Sequence, residues 1–445
     1  MMLICTVAGF VLSEDPGSGK LPAFPGAEGF GAASKGGRGG KVIKVTNLKA
    51  RGPGSLQAAC SAKGPRIVVF DVSGVIEAPG KKNPSITITE PEIYIAGQTA
   101  PGAGITINGM LKTKYNINPS LHDIIIRFIR CRPTNAAGSG GDCLQITDVD
   151  RLMVDHVSVS WGCDENMDFC NSRDFTVQWC TIEESSPIGH PESKHNYGMI
   201  MGYRGKNATL HHCLFVHQRK RAPLCGLEVL DHRNNVIYNV QLPFIFHPVK
   251  MNRQRPGQPF KVNMVRNYVK SGPNSKMKPS ITFAPIWKRK WINVYAEGNY
   301  MSWAKRVVSP PPGKRVPRPW PAPPVTMHTA QQAYALVLSR AGCLPRDKVT
   351  ERQVNDVKKG TGSYGCRIPT GGLLEGLTGG EPSKDRDNDG IPDEWETKHN
   401  LDPDDPADGK KIVPAGVSKD DRHKEYTYIE YYVNECADNL IESAK

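Results

Sequence analysis

Short stretches in which apolar and polar residues alternate return along most of this chain. They are "DIIIRFIR" (123–130), "RLMVDHVSVS" (151–160), "DFTVQWCTI" (174–182), "ATLHHCLFV" (208–216), "NNVIYNV" (234–240), "VNMVRNYV" (262–269) and "INVYAEGNYM" (292–301). Alternation marks a strand, because successive side chains leave opposite faces of an extended backbone. The stretches start about 20 to 35 residues apart, and polar and Gly residues follow each one. A repeat of that length, made of strand and turn, predicts a solenoid: one coil cannot bury its apolar face, but stacked coils can.

Polar residues recur near the ends of these stretches: Asp155–His156, His211–His212, Asn239, Asn267 and Asn299. Asn tolerates the left-handed region and bonds its own backbone, so such positions predict turns stacked above one another. An antiparallel sandwich would instead need Asn-Gly or Asp-Gly hairpins between paired strands. Asn108–Gly109 is present, but no such pair separates the central stretches. The pattern predicts an all-β fold, a right-handed parallel β-helix over residues 21–300. "GPGSLQAACSAKGP" (52–65) predicts a helix with Ser55 at its N-cap, covering the open end of the solenoid.

The remaining segments differ in character. Residues 1–20 carry a short apolar run, Met1 to Leu12, that resembles the apolar part of a secretory signal without a preceding Lys or Arg; it reads as a truncated signal segment. Residues 301–380 are rich in Pro, Lys and Arg, as in "AKRVVSPPPGKRVPRPWPAPP". They predict an extended wrap or linker, since Pro cannot donate to a ladder, with one helix near "AQQAYALVLSRAG". Residues 381–445 are acidic at first and then helical. No stretch approaches the roughly 20 apolar residues of a membrane span.

Composition adds two points. The 44 Gly and 36 Pro suit many turns, and the formal net charge of +13 favours a polyanionic partner: nucleic acid, anionic lipid or an acidic polysaccharide. The 12 cysteines show no zinc-finger spacing, which leaves both buried thiols and disulfides open.

Candidate chemistry gathers around "DHVSVSWGCDENMDF" (155–169), a strand that turns abruptly acidic. Asp164 and Asp168 straddle a turn, and "GGDCLQI" places Asp142 at the start of the preceding coil's strand. Stacked coils bring such positions within about 5 Å, so the three carboxylates can converge. Oxygen-only ligation suits calcium, and without a cation the charges repel. A solvated acidic turn is the plain alternative. "ESKHNYG" adds Lys194, and "HQRKRAPL" adds Arg219, Lys220 and Arg221. In register these make a cationic strip beside the acids. A polyuronate needs that pairing: its carboxylates take the cation and the basic side chains, while its rings lie along the groove.

At these residues the sequence resembles the bacterial pectate lyases of polysaccharide lyase family 1. The matching segments are "FPGAEGFGAASKGGRGGKVIKVTNL", "GPGSLQAAC…GPRIVVFDVSGVIE", "VDHVSVSWGCDENMDF", "FTVQWCTIEES", "KHNYG", "HHCLFVHQRKRAP" and "NNVIYN", across most of residues 21–375. The resemblance implies a pectin lyase-like β-helix and calcium-dependent β-elimination on polygalacturonate. It implies calcium carboxylates at Asp142, Asp164 and Asp168. A further acid of the family falls on Gly140, which leaves Glu165 as the alternative donor. Lys194 aligns with the substrate-binding lysine, with Arg219 and Lys220 as further substrate contacts. Arg221, before Ala-Pro, aligns with the arginine that takes the C5 proton. Leu224, Cys225 and Gly226 stand where a second family arginine follows, with Arg219 as its substitute. Arginine ordinarily stays protonated; the neighbouring lysines and the cation would lower its pKa, which implies an alkaline optimum. The expected protein is a secreted or periplasmic monomer that binds an acidic polysaccharide and neither nucleic acid nor membrane.

The tail carries an independent signal, "DRDNDGIPDEWE". Asp385, Asp387, Asp389, the backbone of Ile391, Asp393 and Glu396 fall at loop positions 1, 3, 5, 7, 9 and 12, with Gly390 at 6. That is EF-hand spacing and predicts a second, structural Ca2+; a disordered acidic linker is the alternative. Two other readings of the whole chain stand beside the lyase. A β-helix hydrolase would use the same acids as acid and base and yield no conjugated double bond. A non-catalytic polysaccharide-binding protein would merely lose affinity without Lys194 or Arg221. Nucleic-acid binding through the basic run at 305–320 lacks any accompanying motif.

Overall fold

The computed structural model describes residues 21–114, 121–134, 140–186, 190–192, 195–202, 205–246, 259–275, 283–285, 292–302 and 314–444. The expected signal segment, residues 1–20, and residues 303–313 of the basic Pro-rich run lie outside the described residues.

Alternating strands wind into three parallel sheets of 11, 9 and 8 strands. A complete coil contributes one strand to each sheet. Val149–Asp155, Ser158–Val159 and Glu165–Asp168 form one coil, and Arg173–Gln178, Thr181–Ile182 and Tyr197–Met201 stack on it in register. This is the right-handed parallel β-helix that the repeat predicts. Inward positions pile into columns: Ile95, Ile126, Val154, Val177 and Leu210 occupy one register line and are fully buried. No coil could bury such residues alone; the stack removes both their flanks from water.

Six of the seven apolar stretches of the sequence hold two strands rather than one, and "NNVIYNV" holds only Val236–Tyr238. Within "ATLHHCLFV" the first sheet takes Asn207–His211, the second takes Leu214–Val216, and His212 turns the corner with φ 52°. Phe128, His156, Trp179, Asn234 and Arg266 make the same corner in other coils, all with positive φ. That region costs a non-Gly residue about 1–2 kcal/mol. Stacking offsets the strain, since identical corners place ring over ring: Phe128 lies 4.8 Å from His156, and Trp179 lies 4.2 Å from His212. The next position forms a ladder. Asn235, Asn267 and Asn299 each accept, through Oδ1, the backbone N–H of the preceding coil, at 2.9, 2.9 and 3.0 Å. Earlier in the chain Cys180 Sγ takes the same place, accepting from Val157 at 3.4 Å. The cysteines among the described residues are free thiols, most of them buried.

Helices cover the solenoid where its sheets would face water. α1 (Leu56–Cys60) caps the first coil with Leu56, Ala59 and Cys60, and Ser55 Oγ accepts from Ala58 N–H at 3.2 Å. The stretch read as a wrap carries α2 (Ala330–Arg340) and α3 (Lys348–Lys359). Their Val337, Leu338, Val354 and Val357 pack on Leu214, Val216, Val236 and Tyr238 of the second sheet. The tail holds α4 (Asp393–Lys398) and α5 (Tyr428–Ser443). Ile391, Ile429 and Val433 pack on Ile67, Val69, Tyr94 and Ile125, the outer face of the first sheet. These elements leave the third sheet to carry the candidate site.

Candidate active site

Four successive strands of the third sheet, Leu144–Gln145, Glu165–Asp168, Tyr197–Met201 and Leu224–Cys225, lie side by side. The residues that open them, or stand just ahead, therefore share one corner of the solenoid. Asp142 stands ahead of the first, Asp164 stands ahead of the second and Glu165 opens it, Tyr197 opens the third, and Arg221 precedes the fourth.

The acids converge because turn hydrogen bonds hold them there. Asp142 is buried; its Oδ1 accepts the Glu165 N–H at 2.9 Å and its Oδ2 accepts from Gln145 Nε2 at 3.0 Å. Carboxylate oxygens of Asp142, Asp164 and Glu165 come within 4.8 Å of one another. Burial, and then the charges of Asp168 and Asp164, hold Asp142 well above the usual carboxylate range. Asp168 stands in register with Gln145 at the far end of its strand, and its Oδ1 accepts the Cys170 N–H at 2.7 Å. It acts on Asp142 through its charge, whereas Glu165 occupies the inner position. Carboxylate oxygens alone, close enough to repel when bare, are a donor set that fits calcium.

Arg221 reaches this cluster from two coils away. Its backbone is tied on both sides: the carbonyl accepts Met199 N–H at 2.7 Å, and the N–H donates to Leu242 O at 3.1 Å. Gly198 permits that approach, since a Cβ there would stand 2.5 Å from the Arg221 carbonyl oxygen. The guanidinium lies over the Tyr197 ring, 3.9 Å from its centroid, and pairs with Glu165. Burial pushes it down to about 10, against the opposing pull of Asp164 and Asp142. Arg219 stands over the same ring at 5.8 Å. Lys220 joins the sheet by its backbone, bridging Tyr197 and Leu242. Lys194 lies outside the described residues.

Sequence reasoning missed three members of this corner. Tyr197 is the platform under Arg221. His195 Nδ1 bonds Asp164 Oδ1 at 2.6 Å, and its ring stacks between His190, at 3.5 Å, and Tyr197, at 4.6 Å. The segment "KHNYG" carried the signal for His195 and Tyr197, but only its lysine was read, and His190 lies outside it.

The tail residues assemble separately. Asp385, Asp387 and Asp389 group together, and Asp389 groups again with Glu396 and with Asp408, which the loop spacing does not include. Burial, reinforced by the neighbouring aspartates, pushes Glu396 up to about 8, and burial pushes Asp389 up to about 7. Asp393 instead engages Arg386 and Lys384. Ile391 is buried against the first sheet.

No protein-family model matches the chain. Among known proteins, the probable pectate lyase C of Aspergillus fumigatus is 34% identical over 427 residues, 93% of this chain and 93% of that protein. Its counterpart in Aspergillus terreus is 33% identical over 430 residues, 93% and 94% of the two chains. These relatives are fungal, whereas the sequence motifs had pointed to bacterial members. Among solved structures, a pectate lyase from Bacillus sp. N165 in complex with trigalacturonate aligns with a TM-score of 0.49 at 14% identity, covering 71% of this chain and 98% of that one. The cedar-pollen allergen Jun a 1 aligns with a TM-score of 0.48 at 15% identity, over 72% and 93%.

Proposed function

The chain belongs to the pectate lyase family, and from that premise we propose that it cleaves polygalacturonate by calcium-assisted β-elimination with Arg221 as the base. The observation that carries the reading is the meeting of a half-buried guanidinium and a set of close carboxylates at one corner of adjacent coils. Asp142, Asp164 and Glu165 would hold the ion, with Asp168 beside them. A bound calcium ion supplies positive charge at the galacturonate carboxylate, which acidifies the C5–H bond.

The protein's own groups supply the rest. The backbone ties to Met199 and Leu242 fix the Arg221 main chain, and the Tyr197 ring carries its guanidinium beside the carboxylates. Burial favours its neutral form, so a usable fraction of free base develops as pH rises toward about 10. Arg221 takes the C5 proton, the C5–H electron pair becomes the C4=C5 double bond, and the C4–O bond breaks. The leaving oxygen then gains a proton from water. In this reading Arg219, beside the same ring, Lys220 and Lys194 would meet substrate carboxylates. Action on an extracellular polymer calls for a secreted or periplasmic enzyme; among the described residues no helix is long and apolar enough to cross a membrane.

The test is incubation of the purified chain with polygalacturonate, with calcium and with a chelator, following ultraviolet absorbance. Absorbance should climb with calcium and stop on chelation. New reducing ends without absorbance would assign hydrolysis instead, and neither would leave a binding protein.

A further inference from the structure

The tail cluster rests on the first sheet, away from the corner that holds Arg221. Carboxylates of Asp385, Asp387 and Asp389 lie within 4.8 Å of one another, and so do those of Asp389, Glu396 and Asp408. Crowded acids alone carry little meaning; the state of their oxygens carries more. Glu396 is 0% exposed, and neither of its carboxylate oxygens has a hydrogen-bond partner. Asp387 Oδ2 and Asp408 Oδ1 are likewise buried and unpartnered. Their other oxygens are committed to turns: Asp387 Oδ1 accepts Asp389 N–H at 3.2 Å, and Asp408 Oδ2 accepts Asp402 N–H at 2.8 Å. Each aspartate thus holds its own loop with one oxygen and leaves the other free inside the cluster. Buried carboxylate oxygens without donors are unstable unless a cation meets them.

Asp393, ninth in the loop, is engaged elsewhere. It accepts from the Arg386 N–H at 2.8 Å and the Arg386 guanidinium at 2.9 Å, with Lys384 at 3.3 Å. Asp408 comes from the following turn, and Gly409 lets it in: a Cβ there would stand 2.3 Å from Asp389 Oδ2. We propose that Asp385, Asp387, Asp389, Glu396 and Asp408 enclose a calcium ion, with Asp408 in place of Asp393, and that this ion latches the tail onto the first coils. All the donors are hard oxygens with flexible geometry, which suits calcium better than magnesium or a transition metal.

The latch follows from what the loop touches. Asp385 pairs with Lys44 at 2.8 Å, and Lys44 also holds Asp71 at 2.9 Å. Ile391 is buried among Ile67, Val69, Ile429 and Val433, so the loop joins the first sheet to α5. Order in the loop is therefore order in the seam that fixes α5.

Calcium counting by equilibrium dialysis of the full chain tests this. An Asp142→Asn/Asp164→Asn background removes the active-site ion and isolates the tail. In that background one ion should remain, and calcium should raise the melting temperature. Glu396→Gln or Asp408→Asn should abolish both effects, while Asp393→Asn should keep them. An empty background chain, or loss with Asp393→Asn but not with Asp408→Asn, overturns the proposal. Should the substituted chains fail to fold, limited proteolysis of the parent provides the second measurement. Cleavage at Lys384, Arg386, Lys398 or Lys410 should quicken when calcium is chelated, and unchanged cleavage overturns the latch. Lyase activity is scored separately, so the tail site and the lyase reading fail independently.

Discussion

Arg221 spans a whole coil to reach Glu165, lying across the ring of Tyr197 as it does so. Glu165 and Tyr197 open neighbouring strands of the third sheet in direct register, and Arg221 stands just ahead of the next strand. A guanidinium can do this because it is planar, stacks on an aromatic face and still presents N–H groups at its edge; an ammonium cannot. Arg221→Lys should therefore lower kcat by about 10²- to 10⁴-fold, with circular dichroism and melting temperature close to the parent. Retention of the parental rate would remove Arg221 from the role of base.

Tyr197 should act as a positioning residue. Removing its face loses a cation–π contact of about 0.5–2 kcal/mol, so Tyr197→Leu should cut kcat by roughly tenfold with a smaller change in KM. Tyr197→Phe keeps the face and should keep most of the rate. Equal losses in the two variants would assign the hydroxyl, rather than the ring, to the role.

Glu165 faces two ways: toward the acids that would hold calcium and toward the guanidinium. Glu165→Gln removes a metal donor and an anion that favours the charged arginine. Two shifts should follow together. Half-maximal activity should need more calcium, and the alkaline rise of the rate should move to lower pH, because a carboxylate beside Arg221 raises its pKa. A calcium titration at several pH values reads both, and an unmoved calcium requirement would exclude Glu165 from the metal site.

The stacked coils were legible because their evidence is periodic. Ile126, Val154, Val177 and Leu210 repeat at the spacing of one turn of the solenoid, and Asn267 and Asn299 of its corner ladder were read with them, although the third ladder residue is Asn235 and not Asn239. The third sheet was hidden: Leu144–Gln145 and Leu224–Cys225 are two residues long, too short to alternate. The corners were read only in part: His156 and His212 stood among the polar positions expected at turns, whereas Trp179 read as part of a strand while carrying the left-handed turn. At the site, Asp142, Asp164 and Arg221 were recognisable by motif. Glu165 meeting Arg221 was not, because sequence segments of unequal length separate strands that lie in contact. Asp408 escaped because a fixed loop spacing says nothing about the turn that folds back onto it.

The solenoid interior carries a titratable group whose sign can be worked out. His232 occupies the inward column between Leu210 and Met264. Its Nδ1 bonds Asn267 Oδ1 at 2.9 Å, and its ring packs near Phe215 and Phe244. Burial pushes its pKa down from 6.5 to about 3. The folded state then resists a proton that the unfolded chain accepts, so stability is full above about 6.5 and drains as pH falls toward about 3, by about 1.4 kcal/mol per pH unit for this group. Buried His211, also pushed down to about 3, adds to the same slope. The parent should lose melting temperature steadily from pH 7 to pH 5. His232→Leu matches the apolar column and cannot titrate, so its loss over that interval should be visibly smaller, even if its melting temperature at pH 8 is lower for want of the bond to Asn267. Differential scanning calorimetry at pH 8, 7, 6 and 5 makes the comparison. Parallel curves for the two proteins would mean that His232 takes its proton as readily folded as unfolded.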